Sequence, residues 1–277
     1  MNKFKVFFTF IAFFWLLLCG AGAIYAITKG YVGNSLFAWV GLLINAWALP
    51  VWMLLRYRSP EKLAGDLRES AAFSCVLVGL AIVLLTDSER GLPVYLAIGN
   101  LFVLLVYLYH LSAVGHPKMP ALDEEFPPLA IAGDGNWQAA AFCREKGLDG
   151  VLVIFLRGSY CADSRHQLHQ VHNLLADLAR RNIGLLLLSG QPENKWAASL
   201  TAGVQVQQLE MSGKNAVRFA APSAAPLILR PWVRDAVRPS AWLIDAEGVV
   251  LWRELSMNYR VPAGVDLLRA QLFRVED

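Results

Sequence analysis

What this chain lacks first is charge near its start. Only 13 of residues 1–117 are charged, eight Lys or Arg and five Asp or Glu, whereas residues 118–277 carry 17 of each sign. The net excess of +3 therefore belongs to the first part. The balanced second part excludes the basic stripe that a nucleic-acid partner requires. Cysteine is almost as scarce: Cys19, Cys75, Cys143 and Cys161 are all there are. No two of them form C-x-x-C, and their spacing matches no metal motif. No internal repeat is visible, and no cofactor or resident metal is expected.

What is abundant is apolar sequence, 56% of all residues, more than an ordinary soluble chain carries. It is concentrated in four runs, Phe7–Ile27, Ser35–Leu55, Ala71–Thr86 and Leu92–Leu111. A helix needs roughly 20 apolar residues to cross a hydrocarbon layer about 30 Å thick. Residues 1–116 are thus read as a transmembrane region with spans at about 6–28, 34–55, 70–87 and 92–112, its partner the lipid bilayer; the third run is the shortest. Asn45 and Asn100 fall mid-span and read as interhelical hydrogen-bonding groups. No span carries an ionisable residue near its middle, which argues against an ion path.

Residues 117–135, with Pro117, Pro120, Pro127 and Pro128 and the acidic Asp123-Glu-Glu125, read as a linker or extended arm. From 136 to 277 helical and strand patterns alternate: helix 136–147, strand 150–157, helix 162–181, strand 183–189, helix 193–202, strand 204–210, a short helix 212–220, strands 240–245 and 249–255, and helix 263–274. Asp245-Ala-Glu-Gly248 signals a hairpin. The pattern predicts an α/β domain with a mixed sheet covered on both faces.

Cys161 is the candidate nucleophile. It lies between a continuous apolar strand and a helix start, where free backbone N–H groups and the helix dipole favour a thiolate. Cys143, in an Ala-rich helical stretch, reads as a buried cysteine or a resolving thiol. His166, His169 and His172 lie away from the apolar stripe of their helix and read as a solvated face.

These segments resemble the peroxiredoxin-type redoxins, the alkyl hydroperoxide reductase/thiol-specific antioxidant group on the thioredoxin fold. The resemblance rests on Arg157-Gly-Ser-Tyr-Cys161 after a strand, Leu188-Ser-Gly-Gln-Pro192 after the next, and Arg238-Pro-Ser-Ala-Trp-Leu-Ile-Asp245. It covers about residues 136–275. It implies a peroxidatic Cys161, with Arg238 lowering its pKa and polarising the peroxide, and Pro239, if cis, shaping the pocket. Arg157, Tyr160 and Ser164 are supporting residues, Ser164 as a hydrogen-bond donor to the thiolate. The substrate implied is a peroxide or disulfide, with a separate thiol as reductant. The chain departs from the family pattern at Gly158, where Thr or Ser is usual, at Ala162, where Pro is usual, and at Ser164, where two-cysteine members carry the second thiol. Two alternatives stand beside a thiol-dependent oxidoreductase: a degenerate redoxin serving as a binding or sensing module, and copper delivery through Cys161 and the histidines.

Lys3 and Lys5 precede the first span, and Arg56, Arg58, Lys62 and Arg68 lie between the second and third. The positive-inside bias places both chain ends in the cytoplasm, as for a bacterial inner-membrane protein. A fluorescent protein fused after Asp277 is expected to fluoresce and an alkaline phosphatase fusion to be inactive; the reverse pattern would put the domain outside.

Overall fold

The computed structural model describes residues 2–30, 35–133, 135–211, 218–221 and 236–275. They form two compact units, one within residues 2–113 and the other mainly within 114–275.

The first unit is helical: α1 (Asn2–Lys29), α2 (Leu36–Arg58), α3 (Ser70–Thr86) and α4 (Leu92–Val106), the last continued by a π-helical turn at Tyr107–Leu111. Three stretches, Phe4–Lys29, Leu36–Arg58 and Leu92–Leu111, are long and apolar enough to cross a membrane. At 17 residues, α3 reaches about 26 Å and falls short of a full crossing, unlike the span expected at about 70–87. Its start is fixed by Glu69, whose backbone is left-handed (φ 47°). The Glu69 carboxylate pairs with Arg56 at 2.7 Å and accepts from Trp52 Nε1 at 2.6 Å, with both charged side chains fully buried. Loss of either partner leaves an uncompensated buried charge, which costs about 3–5 kcal/mol.

Polar groups inside the bundle are tied to one another. Trp15 Nε1 donates to Asn100 Oδ1 (2.9 Å), Asn100 Nδ2 donates to Asn45 Oδ1 (3.0 Å), and Asn45 Nδ2 donates to the Val76 carbonyl (2.9 Å). The chain of bonds runs through all four helices. Next to it α2 and α3 touch backbone to backbone, because a Cβ at Gly79 would stand 2.6 Å from Asn45 N and Gly41 O.

The second unit is built on a five-stranded sheet of order β5-β4-β3-β6-β7. Its strands are β3 (Gly150–Leu156), β4 (Ile183–Ser189), β5 (Val206–Gln208), β6 (Ser240–Asp245) and β7 (Val250–Leu255). Strand β3 is parallel to β4 and antiparallel to β6, so the sheet is mixed, as the sequence pattern predicts. Every residue of β3 is buried, which accounts for its unbroken apolar sequence. Val151, Val153 and Phe155 face an aromatic core containing Phe126, Trp137, Phe219 and Trp242, where Phe155 and Phe219 stack with centroids 4.4 Å apart. On this side lies α5 (Ala139–Lys146). Leu152, Ile154 and Leu156 face α6 (Ala162–Val171), α7 (Leu175–Arg180) and the C-terminal α9 (Val265–Arg269).

Three expectations need correction. The segment read as a linker carries a hairpin, β1 (Leu129–Ile131) with β2 (Gly135–Trp137). It also buries Met119, Phe126, Leu129 and Ile131 in the aromatic core, because Phe126 fills the space beside Trp242 at 5.3 Å between centroids. The helix expected over 162–181 divides at a 3₁₀ turn, His172–Leu174, where His172 Nδ1 lies 3.0 Å from the Leu168 carbonyl. The helix expected at 193–202 is reduced to a 3₁₀ turn at Glu193–Lys195 and α8 (Ala198–Thr201). Of the helix expected at 212–220, residues 212–217 lie outside the described residues.

Gly79→Ala is expected to lower the detergent-solubilised protein's stability by about 1–3 kcal/mol, the usual cost of overpacking. Gly99, where a Cβ would meet nothing within 4 Å, tolerates alanine. Thermal unfolding followed by circular dichroism reads both variants.

Candidate active site

The site lies beyond the C-terminal end of β3. Leu156 is the last strand residue, Arg157–Tyr160 form the loop, and Cys161 is the N-cap of α6. Two backbone bonds shape this passage: Cys161 N donates to Gly158 O (3.0 Å), and Arg165 N donates to Cys161 O (3.1 Å). The loop is braced from both sides. Ser164 Oγ accepts from Arg157 N at 3.0 Å. Gln191, just after β4, accepts from Ser159 N (2.7 Å) and Ser159 Oγ (3.1 Å) through Oε1. Ser164 therefore braces the loop, its oxygen accepting from the backbone.

Cys161 is 4% exposed, and its sulfur touches one cation and one anion. Arg157 Nη1 donates to Sγ across 3.8 Å, and the thiol donates to Asp163 Oδ2 across 3.6 Å. The Arg157 guanidinium is itself held over aromatic faces, 4.2 Å from the Tyr259 ring centroid and 5.6 Å from that of Tyr160, a cation–π arrangement. Burial pushes the Tyr160 phenol above its ordinary value, with the Arg157 charge opposing. Tyr160 also packs with Tyr259, Ala221, Ala236 and Val114 in a small apolar cluster.

Arg238 is placed differently from its expected role. Phe155 pairs with Ser240, so Arg157 and Arg238 each lie two residues beyond the same rung, at one end of the sheet. Yet the Arg238 guanidinium bonds to backbone carbonyls, those of Gly115 (2.9 Å), Arg218 (2.8 Å) and Ala220. It clamps the chain, and burial pulls it below its ordinary pKa. Among the described residues, the cation in contact with the sulfur is Arg157. The Arg238–Pro239 peptide is trans, as is every peptide among the described residues, which corrects the conditional cis reading.

Cys143 cannot meet Cys161 within this fold. It is fully buried, with Sγ 3.9 Å from the Asp245 carbonyl, and Asp245 pairs with Gly150 at the start of β3. The length of β3, about 20 Å, separates the two thiols, against a limit of roughly 7 Å between Cα atoms for a disulfide. Burial, followed by the charges of Asp245, Glu247 and Asp149, pushes the Cys143 thiol up to about 11.

The three histidines are half-buried rather than solvated. His166 bonds the Pro60 carbonyl and Gln170, while His172 Nε2 lies 2.8 Å from the Ala202 carbonyl. No group of three metal-ligating side chains converges among the described residues. Sequence reasoning does not reach Gln191 and Tyr259 as site residues; Asp163 it reaches only as a neighbouring charge that opposes a thiolate if it comes close, and the structure brings it into contact with the sulfur. Gln191 stands in the Leu188–Pro192 segment, and its place beside the loop follows from the parallel pairing of β3 with β4. Tyr259 comes from a loop almost a hundred residues further on, with no local signal.

No family model matches this chain. No curated protein matches it either. Among solved structures it is similar to reduced Prx3 from Vibrio vulnificus in complex with hydrogen peroxide, at 15% identity over 56% of this chain and 99% of that one, TM-score 0.45. It is similar to a thiol peroxidase from Chromobacterium violaceum, at 12% identity over 60% and 93% of the two chains, TM-score 0.39. AhpC from Mycobacterium tuberculosis aligns at 11% identity over 58% and 95%, TM-score 0.40. The strand order and the contacts around Cys161 are independent of these likenesses.

The Gly158 departure has a local cause. Its φ is +155°, and a Cβ there would stand 2.5 Å from Tyr160 Cε1 and 2.8 Å from Gln191 Oε1. Gly158→Thr is expected to destabilise the protein by about 1–3 kcal/mol, read as a lowered thermal midpoint.

Proposed function

We propose that this protein is a membrane-anchored, thiol-dependent oxidoreductase that reduces hydroperoxides through Cys161. The observation that carries the reading is the contact of the Arg157 guanidinium with a cysteine sulfur at a helix N-cap. A cation and a helix N-terminus both favour the thiolate, the nucleophilic form. The thiolate attacks one peroxide oxygen, the O–O bond breaks, and Cys161 becomes a sulfenic acid. The same guanidinium is placed to stabilise charge that develops on the leaving oxygen. With Cys143 at the far end of β3, a thiol from another molecule reduces the sulfenic acid. The helices of the first unit, with a band of exposed Phe, Leu and Val side chains, supply the anchor, four spans in this reading with α3 fitted by its flanks. The domain then faces the cytoplasm, and peroxidised lipid is the natural substrate at that surface.

A non-catalytic binding or sensing module is the competing reading, favoured by the burial of Cys161 and the carboxylate beside it. The two part on one experiment. The detergent-solubilised full chain is treated with hydrogen peroxide, and sulfenic acid is trapped with a 1,3-diketone and located by mass spectrometry. Labelling at Cys161 is expected, absent in Cys161→Ser and slowed about 10²-fold in Arg157→Gln, the scale for losing one donor to a developing oxyanion. An unlabelled parent overturns the peroxidase reading and leaves the binding module.

A further inference from the structure

Peroxide reduction by a thiol has two proton problems, and one residue at this site is placed to answer both. The thiol must lose its proton to attack, and the departing oxygen must gain one to leave as an alcohol or water. Only two polar groups touch Cys161 Sγ among the described contacts, Arg157 Nη1 at 3.8 Å and Asp163 Oδ2 at 3.6 Å. A guanidinium holds its protons and has no acceptor atom. The carboxylate is the only one of the two that can take the proton, and the thiol is already directed at it. Asp163 is 6% exposed, so a proton resting there is shielded from bulk water. It is the second residue of α6, where unpaired N–H groups and the dipole support negative charge.

We propose that Asp163 is the proton-transfer residue of this site, accepting the Cys161 thiol proton and returning it to the leaving oxygen. This rests on the peroxidase reading above. As the S–O bond forms and the O–O bond breaks, the thiol proton passes to Asp163 Oδ2. Sulfur is oxidised to the sulfenic acid, and the peroxide is reduced by the same two electrons. The departing RO⁻ takes the proton from Asp163 to become ROH, and the carboxylate is restored. Arg157 offsets the negative charge carried through this sequence and keeps the carboxylate from merely opposing the thiolate. The carboxylate therefore acts in two opposed ways: by charge it disfavours the thiolate that every electrophile consumes and that bulk water can also generate, and by returning the proton it assists only those reactions whose leaving group must be protonated.

That opposition supplies the test. Iodide leaves from iodoacetamide without a proton, whereas hydroxide leaving from hydrogen peroxide requires one. In the detergent-solubilised full chain, Asp163→Asn is expected to raise the rate of Cys161 alkylation by iodoacetamide at pH 7, by up to about tenfold, because like-charge repulsion is removed. The same variant is expected to slow sulfenic acid formation by hydrogen peroxide about 10²-fold, the lower end for general acid–base assistance. A split in which alkylation rises and oxidation falls supports the proposal. Both rates rising together, falling together or staying unchanged overturns it and leaves Asp163 as a helix-end charge. If the parent alkylates but is not oxidised by peroxide, the peroxidase reading itself has failed, and this proposal with it. Circular dichroism verifies the fold of the variant, and should Asp163→Asn not fold, Asp163→Ser is taken through the same two assays with the same outcomes.

Discussion

The burial of β3 on both faces and along both edges is the constraint from which the candidate site follows. A strand paired on one side with β4 and on the other with β6 cannot slip without moving its side chains to the wrong face. Its last residue is therefore a fixed point, and the four residues to Cys161 have little freedom. Ser164 fastens the loop from α6, and Gln191 fastens it from the end of β4. The sulfur is placed by the sheet, and its neighbours come from the two elements parallel strands naturally bring beside it, the following helix and the next crossover.

What distinguishes this site is that its cation is local. Arg157 and Arg238 occupy equivalent places beyond the same rung, but they do different work. Arg238 gives its donors to carbonyls of two segments that are distant in sequence. Arg157 leaves its guanidinium face to Tyr259 and turns an edge to the sulfur. A planar cation can do both at once, stacking through its face and donating in its plane, and lysine could not. The crowding of Tyr160 and Gln191 against Gly158 belongs to the same solution, since the aromatic and amide groups that hold the loop occupy the space a side chain there would need.

The strands are the most legible part of the chain. Gly150–Leu156, Ile183–Ser189 and Ser240–Asp245 show in composition because each is buried almost throughout. The hairpin is legible from Asp245 and Gly248, which close it through Asp245 Oδ1 on Val249 N and a left-handed glycine at φ +92°. The arm before the sheet reads as a linker because Met119 and Phe126 follow no period, four prolines interrupt it, and the alternation of Leu129 and Ile131 is only three residues long. Cys161 stands out by its position between strand and helix. The choice between two arginines at the same sheet end is not open to sequence, because it depends on which carbonyls come within reach of Arg238. Tyr259 is invisible for a similar reason: its contact with Arg157 crosses 102 positions.

The chain of hydrogen bonds from Trp15 through Asn100 and Asn45 to Val76 bears on how the helical unit is made. It includes a residue from each of the four helices, and Asn100 lies in the last of them to leave the ribosome. For a bundle set in lipid, Asn45 Oδ1 and Trp15 Nε1 have no protein partner in this chain of bonds until α4 arrives, and a polar group bare in hydrocarbon is unfavourable by several kcal/mol. The first three helices are thus an unfinished intermediate whose polar groups in this chain of bonds are not yet paired with α4. Closure of the polar interior therefore waits for the last helix of this unit, while the sheet unit is still to be made.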